Sequence, residues 1–362
     1  MAATPLTLTA QSVCPAMDVP PAQEDLASVL SSVQVVSDCA AVAEGSLKIG
    51  THSGTFHCDE ALGCAMLQLH PKWKGAAIVR SRDPAQLAQC DLVMDVGGEY
   101  DHEKRRYDHH QRGFDEVFGR GFITKLSACG LIYKHYGLEI IAALHPALAA
   151  QAETFYDKVY GSFVEHIDAI DNGIAVTQPN FSVSTTLSAR VGQLNPAWNQ
   201  EDSADDSNHR FRFAMLTTGR EFVGNLNGLV TSWWPARSIV KDALSKRLEV
   251  HPSGKVISLD TFCPWKTHLL ELETEQALET PIEYVLYVSS GQWRIQCVPV
   301  DSDSFQSRKP LPEPWRGISG DRLSELSGVK DCVFVHSAGF TGGNKTREGI
   351  LEMAKKSVEW EA

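Results

Sequence analysis

Imidazole and carboxylate side chains gather in three short stretches of this chain: His52-Ser-Gly-Thr-Phe-His57-Cys-Asp59-Glu60, then Asp95-Val-Gly97-Gly98, then Asp108-His109-His110. Nitrogen and oxygen donors without thiolate suit Mn²⁺, Mg²⁺ or Fe²⁺, or a mixed-ligand Zn²⁺, better than a structural zinc. Two such ions about 3.5–4 Å apart, bridged by one carboxylate, generate hydroxide and clamp a phosphoryl group. The donors here are numerous enough for two ions. Each stretch alone also has an ordinary reading. His-x-x-x-x-His spacing arises by chance, and an Asp after a strand commonly caps a turn or a helix. Their succession, each at a strand end or in the following loop, points instead to one shared site.

The elements that must position them are legible in the apolar pattern. Residues 46–51, 76–81 and 91–96 read as short strands, with helical patterns at 59–70 and 84–90 between them. That alternation implies a parallel sheet with crossover helices. In such sheets, ligands bind beyond the carboxyl ends of the strands, where His52 and Asp95 both fall. Further helices are predicted at 125–136, 146–170 and 211–248, the last broken at Trp234-Pro235, with the acidic stretch 199–208 as a loop. The remaining part starts again with strands at 255–259, 283–289, 293–299 and 333–335, a Gly-rich turn and a helix at 346–358.

The expected fold class is therefore α/β. Residues 45–248 form a parallel-sheet domain with flanking helices, 249–362 form a smaller α/β domain, and 1–44 read as a disordered tail, with at most a short helix near 26–36. Between that last strand and helix lies His336-Ser-Ala-Gly339-Phe-Thr-Gly342-Gly343-Asn344, where successive backbone N–H groups at a helix start would hold an anion.

Composition narrows the function. The 362 residues suffice for two cores. No apolar run approaches the ~18 residues of a membrane helix. Nine cysteines, an odd number with no C-x-x-C pair, argue for a reducing compartment and against a disulfide framework. Cys58 lies within the first stretch, but nothing in the sequence marks it as an activated nucleophile. The formal net charge is −12, whereas proteins that wrap long nucleic acid usually carry a basic stripe. Either the polyanionic partner is small, or the positive field is local and partly supplied by metal. The first 44 residues hold no Lys or Arg, unlike a mitochondrial presequence or a secretory signal.

The pattern resembles the DHH phosphoesterase superfamily, named for the triplet seen here as Asp108-His109-His110. More narrowly, it resembles the melanocyte-proliferating-gene-one (UPF0160-type) exonuclease family. The resemblance is carried by His52 to Glu60, Val93-Met-Asp95-Val-Gly97, Tyr107-Asp-His-His-Gln111, Phe163-Val-Glu-His-Ile-Asp168-Ala-Ile-Asp171-Asn-Gly173, Ser188-Ala-Arg190-Val191 with Leu194-Asn-Pro-Ala-Trp198, and Gly339-Phe-Thr-Gly-Gly-Asn344. These blocks occur in order over about residues 46 to 358.

The resemblance implies a two-metal 3′-to-5′ exoribonuclease engaged in RNA processing. It would use Mn²⁺ by preference, or Mg²⁺, with its active site in the cleft between the two domains. Family members are associated with the nucleus or nucleolus and the mitochondrion. The superfamily's first motif supplies a His, an Asp and a second Asp. Here His57 stands in place of the middle carboxylate, with one extra residue in the spacing.

On that pattern one ion takes His52, His57 and Asp95. The second takes Asp59, Asp95 as the bridge, His109 and a later carboxylate, Asp171 or Asp168. His110 faces the phosphate as a charge stabiliser or acid, and Asp108 orients a histidine through its ring N–H. Arg190 suits bidentate phosphate contact, and Lys104, Arg105 and Arg106 lie where a nucleic-acid backbone would run. Two other functions fit the residues. One is a hydrolase of small phosphoanhydrides or short oligonucleotides such as pyrophosphate, cyclic dinucleotides or nanoRNA. The other is a non-catalytic RNA-binding protein.

Overall fold

The computed structural model describes residues 23–175, 177–178, 181–302 and 304–361. The chain divides into two units between Gly228 and Leu229. In the first, the order of elements is α1 (Gln23–Ser32), β1 (Val35–Val36), β2 (Lys48–Thr51), α2 (Cys58–Leu69), β3 (Ala77–Arg80), α3 (Pro84–Leu87), β4 (Leu92–Met94), β5 (Tyr100–Asp101) and β6 (Arg106–Tyr107). These strands form one sheet in the order β1-β3-β2-β4-β6-β5. All neighbours are parallel except the β5–β6 pair. The chain leaves β2 for β3 on one side and then crosses to β4 on the other, which opens a crevice at the carboxyl ends of β2 and β4.

β7 (Val117–Gly119) and β8 (Phe122–Lys125) make a separate hairpin. α4 (Ala128–Leu144), α5 (Ala152–Val159) and α6 (Glu165–Asp171) follow, then the short β9 (Thr177–Gln178) and β10 (Phe181–Ser182), α7 (Leu187–Gly192) and the long α8 (Ala204–Gly228). The helix expected over 146–170 is interrupted. A 3₁₀ turn covers Pro146–Gln151, and a wide π turn at Tyr160–Val164 separates α5 from α6.

Helix α2 is buried from Cys58 to Gln68, because α4 and α8 pack against it. A helix apolar around its circumference can only sit inside a core. Its Gly63 admits Met94: a Cβ there would lie 2.1 Å from the Met94 Cε.

The second unit holds α9 (Trp234–Ser245), α10 (Arg247–Val250), β11 (Val256–Ser258), α11 (Lys266–Glu275), β12 (Tyr284–Ser289), β13 (Gln292–Cys297), α12 (Gly320–Ser327), β14 (Cys332–Val335), β15 (Thr341–Asn344) and α13 (Arg347–Glu359). Its sheet runs β11-β12-β13-β15-β14, antiparallel except between β11 and β12. Alternation along β12 serves both faces. Val285 and Tyr287 join a core with α9 and α11, while Tyr284 and Leu286 join another with α12 and α13.

Four sequence expectations are corrected. Residues 23–44 are not a tail: β1 pairs with β3, and Leu30 of α1 meets Gly219 of α8. The rest of that stretch, 1–22, lies outside the described residues. The units divide at 228/229 rather than 248/249, since Ala236, Val240, Ala243 and Leu244 belong to the second unit's core. The acidic end of the 199–208 loop is the first turn of α8. There the Ser203 hydroxyl accepts from the Asp206 N–H and donates to the Asp206 carboxylate, and Asp205 and Asp206 complement the helix dipole.

Last, Gly342, Gly343 and Asn344 are not in a turn. They form strand β15 between β13 and β14, so the backbone lies in a ladder on both sides. A Cβ on Gly342 would lie 3.0 Å from the Phe334 carbonyl oxygen. Gly342→Val is therefore expected to cost the second unit about 1–3 kcal/mol in urea unfolding. Unchanged stability would show that this strand yields freely.

Candidate metal centre

Three adjacent parallel strands, β2, β4 and β6, end in succession at Thr51, Met94 and Tyr107, so His52, Asp95 and Asp108-His109 emerge side by side. The register is tight: the Asp95 N–H donates to the Tyr107 carbonyl at 3.0 Å. Asp95 has φ 56°, in the left-handed region that non-glycine residues rarely adopt, and Gly97 and Gly98 continue with positive φ. Strain of this kind persists where the surroundings impose it, often at functional sites. α2 begins directly after the His52–His57 loop and brings Asp59 and Glu60 in its first turn, near the positive end of the helix.

That loop is held from two sides. Asn195 accepts from the Phe56 N–H at 3.0 Å and donates to its carbonyl at 2.8 Å. Arg80, wholly buried, donates to the Gly54 carbonyl at 2.6 Å and to the Ser207 hydroxyl at 2.9 Å, with its guanidinium against the Phe56 and Phe211 rings. Neither residue stood out as a site residue in the sequence. The signal for Arg80 is a lone cation closing an otherwise apolar strand.

The cluster itself is dense in negative charge. His52 Nε2 lies 3.1 Å from Glu60 Oε1 and 3.2 Å from Asp95 Oδ2. His109 Nε2 lies 3.4 Å from Asp95 Oδ1 and 3.2 Å from Asp171 Oδ2. Ligand-competent atoms form three overlapping groups: His52, His57, Glu60 and Asp95; Asp95, His109 and His110; and Asp59, His109 and Asp171. Asp95 and His109 each belong to two of them. Both Asp59 oxygens, Glu60 Oε2, Asp95 Oδ1 and His109 Nε2 are buried without a hydrogen-bond partner.

Burial, reinforced by repulsion from Asp95, Asp171 and Glu60, holds the Asp59 carboxyl well above its ordinary range. Burial also raises Asp171. It would lower His52, yet bonds from Asp95 and Glu60 override it and lift the imidazole to about 10. Burial would raise Asp95, but His109 and His52 bring it down to about 2. Leaving buried carboxylates uncompensated costs several kcal/mol per ion. Divalent cations between these groups would satisfy the orphaned atoms together. The donor set fits hard or borderline divalent ions.

Glu60 was not singled out as a ligand, although it lies inside the first motif. Its other contact, Oε1 accepting from the His57 N–H at 2.8 Å, explains why it reads as a helix-capping residue.

Asp108 lies beside His110. Its Oδ1 sits 2.9 Å from His110 Nδ1, and its Oδ2 accepts from the Gly98 N–H at 2.6 Å. The His110 side chain is 63% exposed and lines a cavity of about 330 Å³ with Phe56, His57, Asp95, Ile170 and Asp171. That cavity is built wholly from the first unit. Burial pushes the neighbouring Cys58 thiol up to about 12, away from the thiolate form a nucleophile needs.

The alternative ligand Asp168 is placed elsewhere. Its Oδ1 accepts from the backbone and hydroxyl of Ser127, the N-cap of α4, at 2.9 and 2.8 Å, and its Oδ2 from Tyr160 at 3.0 Å. Gly130 makes room, since a Cβ there would meet both oxygens at 2.4 Å. Burial raises Asp168 to about 7 despite these bonds.

The predicted basic contacts are also engaged. Arg190 pairs with Glu221 at 2.6 Å. Lys104 pairs with Glu99 and Asp101, Arg106 donates to the Lys104 and Arg105 carbonyls, and Arg105 lies over the Trp73 ring. In the second unit, the His336 ring accepts from the Ala338 N–H, the Gly339 N–H donates to the His336 carbonyl, and Asn344 bonds Lys330 and Thr346.

Known proteins resemble this chain over most of its length. Residues 48–358 match the family model described as "Uncharacterised protein family (UPF0160)", the MYG1 exonuclease model. The chain belongs to this family. It is 50% identical over 326 residues to the MYG1 exonuclease of Homo sapiens, covering 86% of this chain and 85% of that one. Against the MYG1 exonuclease of Rattus norvegicus it is 48% identical over 354 residues, covering 91% and 92%. Against MYG1 protein YER156C of Saccharomyces cerevisiae it is 45% identical over 325 residues, covering 86% and 96%. Among solved structures, RecJ from Thermus thermophilus in complex with Mn²⁺ aligns with 96% of this chain at 15% identity and a TM-score of 0.23, and the match covers 56% of that RecJ's length.

The separation of the two aspartates is testable. Asp171→Ala should lose about one bound Mn²⁺ per chain by elemental analysis, with stability near wild type. Asp168→Ala should keep its metal but lose about 3 kcal/mol in denaturant unfolding, because Ser127 and Tyr160 are left unpaired. Equal metal loss in both variants would overturn this separation. With pH the signs differ. His52 sits near 10 without metal, so metal must displace its proton, and affinity should rise with pH by about tenfold per unit per proton displaced. Asp168 rises from 3.8 unfolded to about 7 folded, so the native state binds its proton more tightly. Its contribution is largest in acid and is lost as pH climbs towards 7. Asp168→Asn should flatten that slope in unfolding experiments.

Proposed function

We propose that the chain is a two-metal phosphodiesterase that shortens RNA from the 3′ end, with Mn²⁺ as the preferred ion and Mg²⁺ as its substitute. The observation that carries the reading is the set of buried carboxylate and imidazole atoms without partners on Asp59, Glu60, Asp95 and His109, gathered from two strand ends and the start of α2 beside the cavity that Asp95 lines. The exonuclease names of its relatives support it. His52, His57, Glu60 and Asp95 would hold one ion. Asp59, His109 and Asp171 would hold the other, with Asp95 shared. When bound, the pair supplies a hydroxide nucleophile and neutralises charge developing on the phosphoryl group.

The protein's own groups do the rest. His52 turns Nδ1 towards the Ser53 carbonyl at 3.3 Å, which leaves Nε2 as the ligand atom. Asp108 occupies His110 Nδ1, so Nε2 is the ring atom available to protonate the leaving oxygen. Asp95 and Asp171 line the cavity, and bound cations would offset their charge towards an anionic substrate.

A second reading keeps the metals and shortens the substrate to a few nucleotides or a phosphoanhydride. Two observations favour it: the net charge of −12, and the ion pairs that already occupy Lys104 and Arg190. A nuclear or mitochondrial site of action belongs to this proposal as well.

Supplied with Mn²⁺ and 5′-labelled RNA, the protein should produce a ladder receding from the 3′ end, and Asp95→Asn should abolish it. His110→Gln should lower kcat by about 10²–10⁴-fold with metal content retained. Faster turnover of dinucleotides or pyrophosphate than of long strands would favour the second reading. Identical behaviour of wild type and Asp95→Asn would reject both.

A further inference from the structure

Next to the metal cavity, in the same unit, lies a second cavity of about 470 Å³ with almost entirely apolar walls. Phe163, His166, Ile167, Ile170, Ile174 and Leu187 line it, and among the described residues no carboxylate, Lys or Arg does. Volumes of several hundred Å³ are typical of small-molecule sites. The two cavities share Ile167, Ile170 and Ser188 as a common wall.

One element builds both. α6 ends at Asp171, beside His109, and its preceding turn supplies Ile167 and Ile170. Residues three and four apart share a helix face, so the apolar cavity stands at a fixed, short remove from the metal cluster. Phe163, just before α6, is braced edge-on by Phe222 with ring centroids 6.1 Å apart. His166, Thr186 and Ser188 add polar atoms to this lining. Thr186 is itself fixed as the N-cap of α7, accepting from the Ala189 N–H at 3.2 Å.

A flat heterocycle with apolar faces and hydrogen-bonding edges matches this distribution. A ligand anchored through phosphate at the cluster carries such a ring one sugar away. We infer that this cavity receives the nucleobase of the nucleotide whose phosphate lies at the metal cluster. The inference rests on the nucleic-acid reading above. It adds that recognition of the terminal nucleotide is by the base as well as by the phosphate, and that the base site lies on the metal-binding unit itself. A plain apolar packing defect would need neither the shared wall with the metal cavity nor the polar side chains in its lining.

The test uses the full chain with Mn²⁺ and compares binding of AMP and UMP with ribose 5-phosphate, which keeps the phosphate and lacks the base. Burying a base against apolar and aromatic side chains should make the nucleotides bind on the order of tenfold or more tightly. Ala169→Phe, which fills the cavity, and Ile174→Asn, which makes it polar at a half-exposed position, should each bring the ratio near one. Metal content and ribose 5-phosphate affinity should stay unchanged. Ile123→Ser, at an exposed position in the β7–β8 hairpin, should behave as wild type. A ratio near one in wild type, or a ratio untouched by both cavity variants, would overturn the inference while leaving the metal–phosphate reading intact. Failure of AMP, UMP and ribose 5-phosphate alike to show Mn²⁺-dependent binding would reject the nucleotide reading, and this inference with it.

Discussion

Mutual repulsion among buried carboxylates is the constraint around which the first unit is arranged. Asp59, Glu60, Asp95 and Asp171 converge on two histidines in a largely buried cluster, and several of their oxygens have no partner. Such a cluster is costly unless cations enter it. The surrounding structure therefore has to hold like charges together, and much of the fold can be understood as the means of doing so. Parallel pairing of β2, β4 and β6 fixes the spacing of three donors. The N-terminal turn of α2 offers its dipole to two carboxylates. The left-handed backbone at Asp95 is kept in place by its bond to Tyr107.

The loop from His52 to His57 is the part most in need of restraint, because it carries two imidazoles and precedes two acids. Asn195 and Arg80 restrain it from different directions, one from the chain after α7 and the other from the end of β3. Arg80 is also a buried positive charge near Glu60, which offsets part of the cluster's field. In this way a residue with no direct ligand role links α8, the sheet and the metal loop.

Two aspartates three residues apart on one short helix end up with different jobs. Asp171 faces the cluster, while Asp168 caps α4 through Ser127 and is sealed by Tyr160. Asp168 satisfies its buried carboxylate with hydrogen-bond donors at a helix terminus, whereas Asp171 lies against His109 among carboxylates that lack such donors. The apolar face of the same helix runs from the cluster into the neighbouring cavity, so charge, capping and apolar surface are all set by the orientation of α6.

By itself the sequence determined the residue types of the metal cluster, the alternation of strand and helix that sets them at strand ends, and the family. Those features are local: a strand end, a triplet and a helix start are each contained in a few neighbouring residues. What only the tertiary structure decided are choices made by partners distant in the chain. Asp168 and Asp171 are equivalent in sequence, and Ser127 and Tyr160 separate their roles. Glu60 looks like a cap until Asp95 and His52 are brought against it. Arg190 and Lys104 stand out in the sequence only as cations, and the fold is what sets Glu221 and Glu99 beside them. The glycines at 342 and 343 look like an anion-binding turn until two strands claim their backbone. A side chain's type limits what it can bind, but the folded neighbours that reach it first decide what it does bind.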